Sequence, residues 1–169
     1  MEPFYFGEYA WTAALRGRRV LIVHPFADTI RSQYAKHAAG KNLLWPEAVL
    51  PRDLDLVIVK APSSLGRDAN GTWSAALRDT TAAIDGAFPF DAALLGCGAY
   101  GLPLAAHVVS RGASAIYVGG GLQLLFGIMG KRWADRAEIM KVARESWVWP
   151  SPAETPPRAE VVEGGAYWG

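Results

Sequence analysis

Four short apolar runs limit what this chain can fold into. Val20-Leu21-Ile22-Val23, Leu56-Val57-Ile58-Val59, Ala92-Ala93-Leu94-Leu95 and Ala115-Ile116-Tyr117-Val118 are each bounded by polar or turn-forming residues. Runs this short and this apolar suit strands buried on both faces. Segments with helical spacing lie between them. Residues 29–39 carry Ile30, Tyr34 and His37 along one side, with Asp28 or Thr29 as the cap. Residues 72–84 put Trp73, Ala76, Leu77 and Ile84 on one stripe, and residues 102–109 tolerate Pro103 in a first turn. An apolar helix around 122–129 and a polar one near 133–145 complete the series. This alternation predicts an α/β fold: a Rossmann-like, doubly wound, mostly parallel sheet of about four or five strands with helices on both faces. Residues 1–149 form one domain in this reading. Residues 150–169, with four prolines, three glycines and no period, form an extended tail packed on it.

Composition narrows the class. The 169 residues are 51% hydrophobic, enough for a packed core and against general disorder. Seventeen basic and 16 acidic side chains leave a net charge of +1, so the strongly basic signature of a nucleic-acid partner is missing. A single cysteine, Cys97, excludes a disulfide scaffold and fits a reducing, cytoplasmic setting. No apolar run approaches the roughly 20 residues of a transmembrane helix. The first 17 residues contain Glu2 and Glu8 and do not read as a signal peptide. Seven tryptophans are many for this length, and Trp147, Trp149 and Trp168 fall near the end of the chain.

Ligands in parallel sheets bind beyond the carboxyl ends of the strands, which selects the loops after His24, Lys60, Leu95 and Val118. Gly96-Cys97-Gly98-Ala99-Tyr100-Gly101 is a G-x-G-x-x-G between a strand and a helix. Such a turn lets backbone N–H groups approach a phosphate, or serves as a tight structural turn. We count Gly96, Gly98, Tyr100 and Gly101 as ligand-binding candidates. Gly119-Gly120-Gly121 forms a second glycine junction, adding Gly120, Gly121 and the following Gln123, with close helix packing as the alternative. His24 ends the first strand, where an imidazole can bind phosphate or act as acid or base, and is the catalytic candidate. Lys60 with Ser63 and Ser64, and Arg132 in Lys131-Arg132-Trp133, could offset phosphate charge or simply face solvent. Asp53-Leu54-Asp55 mimics a metal motif but enters the second strand at the opposite end. No metal ligand set with familiar spacing is found. Cys97 suits packing better than nucleophilic chemistry, because no resolving partner accompanies it.

The segments His24-Pro25-Phe26 with Thr29-Ile30, the 96–101 turn with Pro103-Leu104-Ala105, residues 120–133 (GGLQLLFGIMGKRW) and residues 162–168 (VEGGAYW) resemble a bacterial family encoded with polysaccharide-biosynthesis functions. The resemblance covers nearly the whole chain, and its last two motifs are the most specific. More distantly, residues 91–121 are similar to the end of GT-D type glycosyltransferase domains. That similarity implies a nucleotide-activated sugar as partner and a divalent metal held by an acidic motif early in the domain. This chain shows no such motif, and a truncated or minimal member is the corresponding expectation. The expected function is nucleotide-diphosphate-sugar binding, glycosyltransferase-like, in surface polysaccharide biosynthesis. The alternatives are a non-catalytic interaction module and an NAD(P)-dependent oxidoreductase, the latter without the acidic ribose ligand. The cofactor and a homo-oligomeric state stay open.

Overall fold

Crossover connections between parallel strands place cover on both faces of a sheet, and the first strand is accordingly apolar on both sides. In the computed structural model, which describes residues 2–62, 72–161 and 163–169, the strands are β1 (Arg19–His24), β2 (Asp55–Lys60), β3 (Ala92–Leu95) and β4 (Ser114–Tyr117). They form one sheet in the order β2-β1-β3-β4, with every pair parallel. Val20, Leu21, Ile22 and Val23 have no exposed surface. Alternation sorts them: Val20 and Ile22 pack with Ile30 and Tyr34 of α1 (Ala27–Ala38), whereas Leu21 and Val23 pack with Ile84 of α2 (Trp73–Ala87) and Leu104 and Val108 of α3 (Gly101–Ser110). The chain turns one way from β1 to β2 and the other way to β3 and β4. The carboxyl ends of β1 and β3 therefore flank a topological switch point, where such sheets open a crevice.

Local chemistry sets the element ends. The Thr72 side chain accepts from Ala75 N at 3.2 Å and caps α2. The apolar helix expected over 122–129 is shorter, α4 (Gly121–Leu125), because Gly127 takes a left-handed φ of +64° and turns the chain away. The expected polar helix near 133–145 is instead two short ones, α5 (Lys131–Ala134) and α6 (Ala137–Met140), separated by extended backbone at Arg136. Each sinks one anchor, Trp133 and Ile139 respectively. Ahead of β1, three 3-10 turns (Pro3–Tyr5, Gly7–Tyr9, Trp11–Leu15) lack a 3.6-residue period and went unread in the sequence. They are held by Phe4 stacked on Trp45, with centroids 5.0 Å apart. Among the described residues no helix is long and apolar enough to cross a membrane.

The start of α1 departs from expectation. Its N-cap position is Phe26, which offers no side-chain bond, and Asp28 is turned to Arg31 at 2.7 Å. The carboxylate of Glu154, 126 residues beyond Asp28, takes the cap position in their place. It accepts from Asp28 N at 2.8 Å, from Thr29 N, and from the Thr29 hydroxyl. A buried anion there satisfies free N–H groups and sits at the positive end of the helix dipole. The last residues are thereby tied to the domain. Replacing Glu154 with Gln keeps the shape and removes the charge. We expect a loss of about 1–2 kcal/mol in a urea unfolding experiment; an unchanged midpoint would contradict the capping role.

Candidate functional site

A cavity of about 220 Å³ opens at the switch point, lined by residues from the ends of β1, β3 and β4 and from the last residues of the chain. His24 forms its floor. The ring is buried, and Nδ1 accepts from Phe26 N at 3.0 Å. That bond leaves Nε2 carrying the hydrogen, so His24 is a neutral donor. Burial lowers its pKa to about 3. Acid–base exchange near neutral pH is therefore disfavoured at this imidazole, and donation of a hydrogen bond is its available chemistry.

Gly96 lies directly against that ring. A Cβ at Gly96 would come within 2.7 Å of His24 Cδ2 and 2.8 Å of the Gly119 carbonyl oxygen, so no larger residue fits. The glycine turn then climbs over the cavity, with Gly98 at φ +55°. Tyr117 closes this side by donating from its hydroxyl to Gly98 O at 3.1 Å. Burial, with Cys97 and Tyr167 nearby, raises the Tyr117 pKa and keeps the phenol a donor. The third glycine has a separate cause: a Cβ at Gly101 would stand 2.2 Å from the Tyr117 ring. Gly101 is thus required by the aromatic wall, and it is not itself among the residues lining the cavity.

The opposite wall belongs to the end of the chain. Glu163, Gly164 and Gly165 have φ values of +47°, +67° and +80°, three successive left-handed residues that only a glycine-rich stretch accommodates. This turn delivers Glu163, Tyr167 and Trp168 to the cavity. Tyr167 fills the space a side chain at Gly120 would need, approaching to 2.8 Å, and Trp133 does so at 3.3 Å. Trp168 N–H bonds Glu154 O at 3.2 Å and meets Phe26 edge-on. Arg132 stands behind this wall, bonded to Glu163 at 2.9 Å and to the Tyr167 hydroxyl at 2.8 Å.

Of the sequence candidates, the fold brings His24, Gly96, Gly98, Gly120 and Gln123 to the cavity. Gln123 is buried, and its amide hydrogens go to the carbonyls of Met129 at 3.1 Å, Ile128 at 3.3 Å and Tyr167 at 3.4 Å. Its N–H groups are spent on the protein. Lys60, Tyr100, Gly121 and Arg132 do not line the cavity among the described residues. Lys60 is exposed beside His24 in register, at the rim. Tyr100 is buried under a stacked Trp73, and Gly121 is covered by Glu2. Ser63 and Ser64, considered with Lys60, fall outside the described residues, as does Val162. Tyr117 was missed: its signal was its place at a strand's carboxyl end, hidden by reading it as core.

The divalent metal implied by the resemblance has no fitting ligand set. Among the described residues no group of three or more His, Cys, Asp or Glu side chains converges. Asp55 lies at the amino end of β2, paired with Arg19 at 3.6 Å. No family model matches the chain, and no curated protein or solved structure matches it either.

Two expected outcomes follow from this geometry. An unfolded chain takes up a proton at His24 below about pH 6.5, while the folded chain resists until about pH 3. The stability His24 contributes is therefore complete above pH 6.5 and is lost as pH falls, at up to about 1.4 kcal/mol per pH unit. His37, also lowered by burial, adds in the same direction. Unfolding free energies measured from pH 7 to 4 should fall less steeply in His24→Asn than in the parent; parallel curves would refute the assignment. Burial also raises the Cys97 thiol to about 12, so the native chain should resist a thiol reagent at pH 8 and react fully only in denaturant. Rapid native labelling would show the thiol to be accessible.

Proposed function

We propose that this chain binds a nucleotide-diphosphate sugar at the carboxyl edge of its sheet, with the sugar ring in the cavity beneath Tyr167. The observation that carries this reading is the character of the lining. One neutral imidazole donor, one carboxylate, glycine backbone and the rings of Phe26, Tyr117, Tyr167 and Trp168 surround a space at the switch point. Aromatic faces cover the C–H side of a sugar, and isolated donors and acceptors meet its hydroxyls.

No lysine or arginine lines the cavity among the described residues, which argues against burying the diphosphate there. The charge of α1's N-terminus is likewise already met by Glu154. The diphosphate belongs at the rim, over the Gly96–Gly98 turn and within the field of exposed Lys60. Glycosyl transfer in surface polysaccharide assembly is the activity the sequence resemblance adds to this binding reading.

Calorimetry of the intact chain against UDP-, GDP- and TDP-linked hexoses should give saturable binding to at least one of them, with a dissociation constant of about 1 mM or tighter. Tyr167→Ala, which removes one wall, should weaken that binding about tenfold. Absence of binding to the whole panel at millimolar concentration would overturn the proposal.

A further inference from the structure

Glu163 is the one charged side chain lining the cavity among the described residues. Its placement costs backbone strain, since a non-glycine residue at φ +47° is disfavoured. Two glycines at φ +67° and +80° continue the same left-handed turn, which places Glu163 on the cavity wall. Strain concentrated in a cavity-lining residue is a pointer to a ligand.

The charges around it are ordered. Arg132 Nη1 holds the carboxylate at 2.9 Å from behind and is itself fixed by the Tyr167 hydroxyl and by its position over the Tyr167 ring, 5.7 Å from the centroid. Lys131 lies against the same turn, with Nζ 3.8 Å from where a Cβ on Gly165 would be. Glu163 lines the cavity, and Lys131 and Arg132 do not. The same cavity is lined by this acidic residue and by the neutral His24.

We infer that Glu163 makes this site selective for uncharged sugars, accepting hydrogen bonds from ring hydroxyls and repelling sugars that carry a carboxylate, such as uronic acids. This rests on the sugar-nucleotide reading above and refines it. Hydrogen bonds from hydroxyls to a charged acceptor are among the stronger polar contacts, whereas a sugar carboxylate placed beside Glu163, whose side chain is 57% exposed, is repelled. Removing the Glu163 charge leaves the Arg132 guanidinium, 2.9 Å from that carboxylate, without its partner and free to attract a sugar carboxylate placed there. The preference should therefore reverse.

The experiment compares UDP-glucose with UDP-glucuronate, and GDP-mannose with GDP-mannuronate, by calorimetry on the intact chain and on Glu163→Gln. The pairs differ only in a hydroxymethyl group against a carboxylate. The parent chain should favour the neutral member at least about tenfold, and Glu163→Gln should favour the acidic member. Glu163→Gly, which relaxes the left-handed backbone and so preserves the turn, should show the same reversal. Equal binding of both members by the parent, or an unchanged ratio in both variants, would overturn the inference while leaving the sugar-nucleotide reading intact. Failure of the parent to bind any of the four would overturn that reading itself, and this inference with it.

Discussion

The buried amide of Gln123 holds the carboxyl edge together. One side chain in the first turn of α4 donates to the carbonyls of Ile128, Met129 and Tyr167. These oxygens belong to a turn and to the end of the chain, neither of which has a regular ladder to satisfy it. A buried carbonyl without a partner is costly, so a single amide placed among three of them fixes the path of both segments. Gly130 lets the strands of this knot approach: a Cβ there would meet the carbonyl oxygens of Tyr167 and Ala166 at 2.9 and 3.0 Å. The backbone follows suit, with Arg132 N bonded to Ala166 O at 2.8 Å and Lys131 N to Trp168 O at 3.2 Å. Without this knot the cavity would have a floor and no second wall.

The same segment supplies its own anion to α1. Parallel sheets commonly use the first helix N-terminus for phosphate. In this chain Glu154 occupies those N–H groups, while Trp168 both bonds the Glu154 backbone and packs on Phe26. The electrostatics of the edge are consequently divided. An internal carboxylate neutralises the helix end, the cavity-lining Glu163 is paired with Arg132, and the floor is a neutral histidine. A polar but uncharged ligand portion suits such a space better than an isolated phosphate.

The four strands were legible in the sequence to within a residue or two, because short apolar runs between turn-forming residues have few alternatives in a parallel sheet. The loops after His24 and Leu95 were legible as the ligand edge, but the meeting of His24 with Gly96 was not, because it depends on β1 lying beside β3. Nor were the causes of the individual glycines. Gly96 is forced by His24, Gly101 by Tyr117, Gly120 by Tyr167 and Gly121 by Glu2, and these partners are between 16 and 119 residues away. A local G-x-G-x-x-G pattern cannot separate backbone kept bare for a ligand from backbone kept bare for a side chain. Gln123 and Arg132 looked like ligand readers because a polar residue at a helix start carries no mark of a distant carbonyl or carboxylate. The cap of α1 was misread for the same reason: a local Asp or Thr is visible in sequence, while Glu154 arrives through tertiary contact.

The central claim is that a sugar ring sits between the His24–Gly96 floor and the Tyr167 wall. A crystal structure of the intact chain soaked with a sugar nucleotide that it binds tests this most directly. Density for the sugar within hydrogen-bond reach of His24 Nε2 and Glu163, with the diphosphate over the 96–98 turn, is the result expected here. Density for the ligand elsewhere, with this cavity empty, would contradict it.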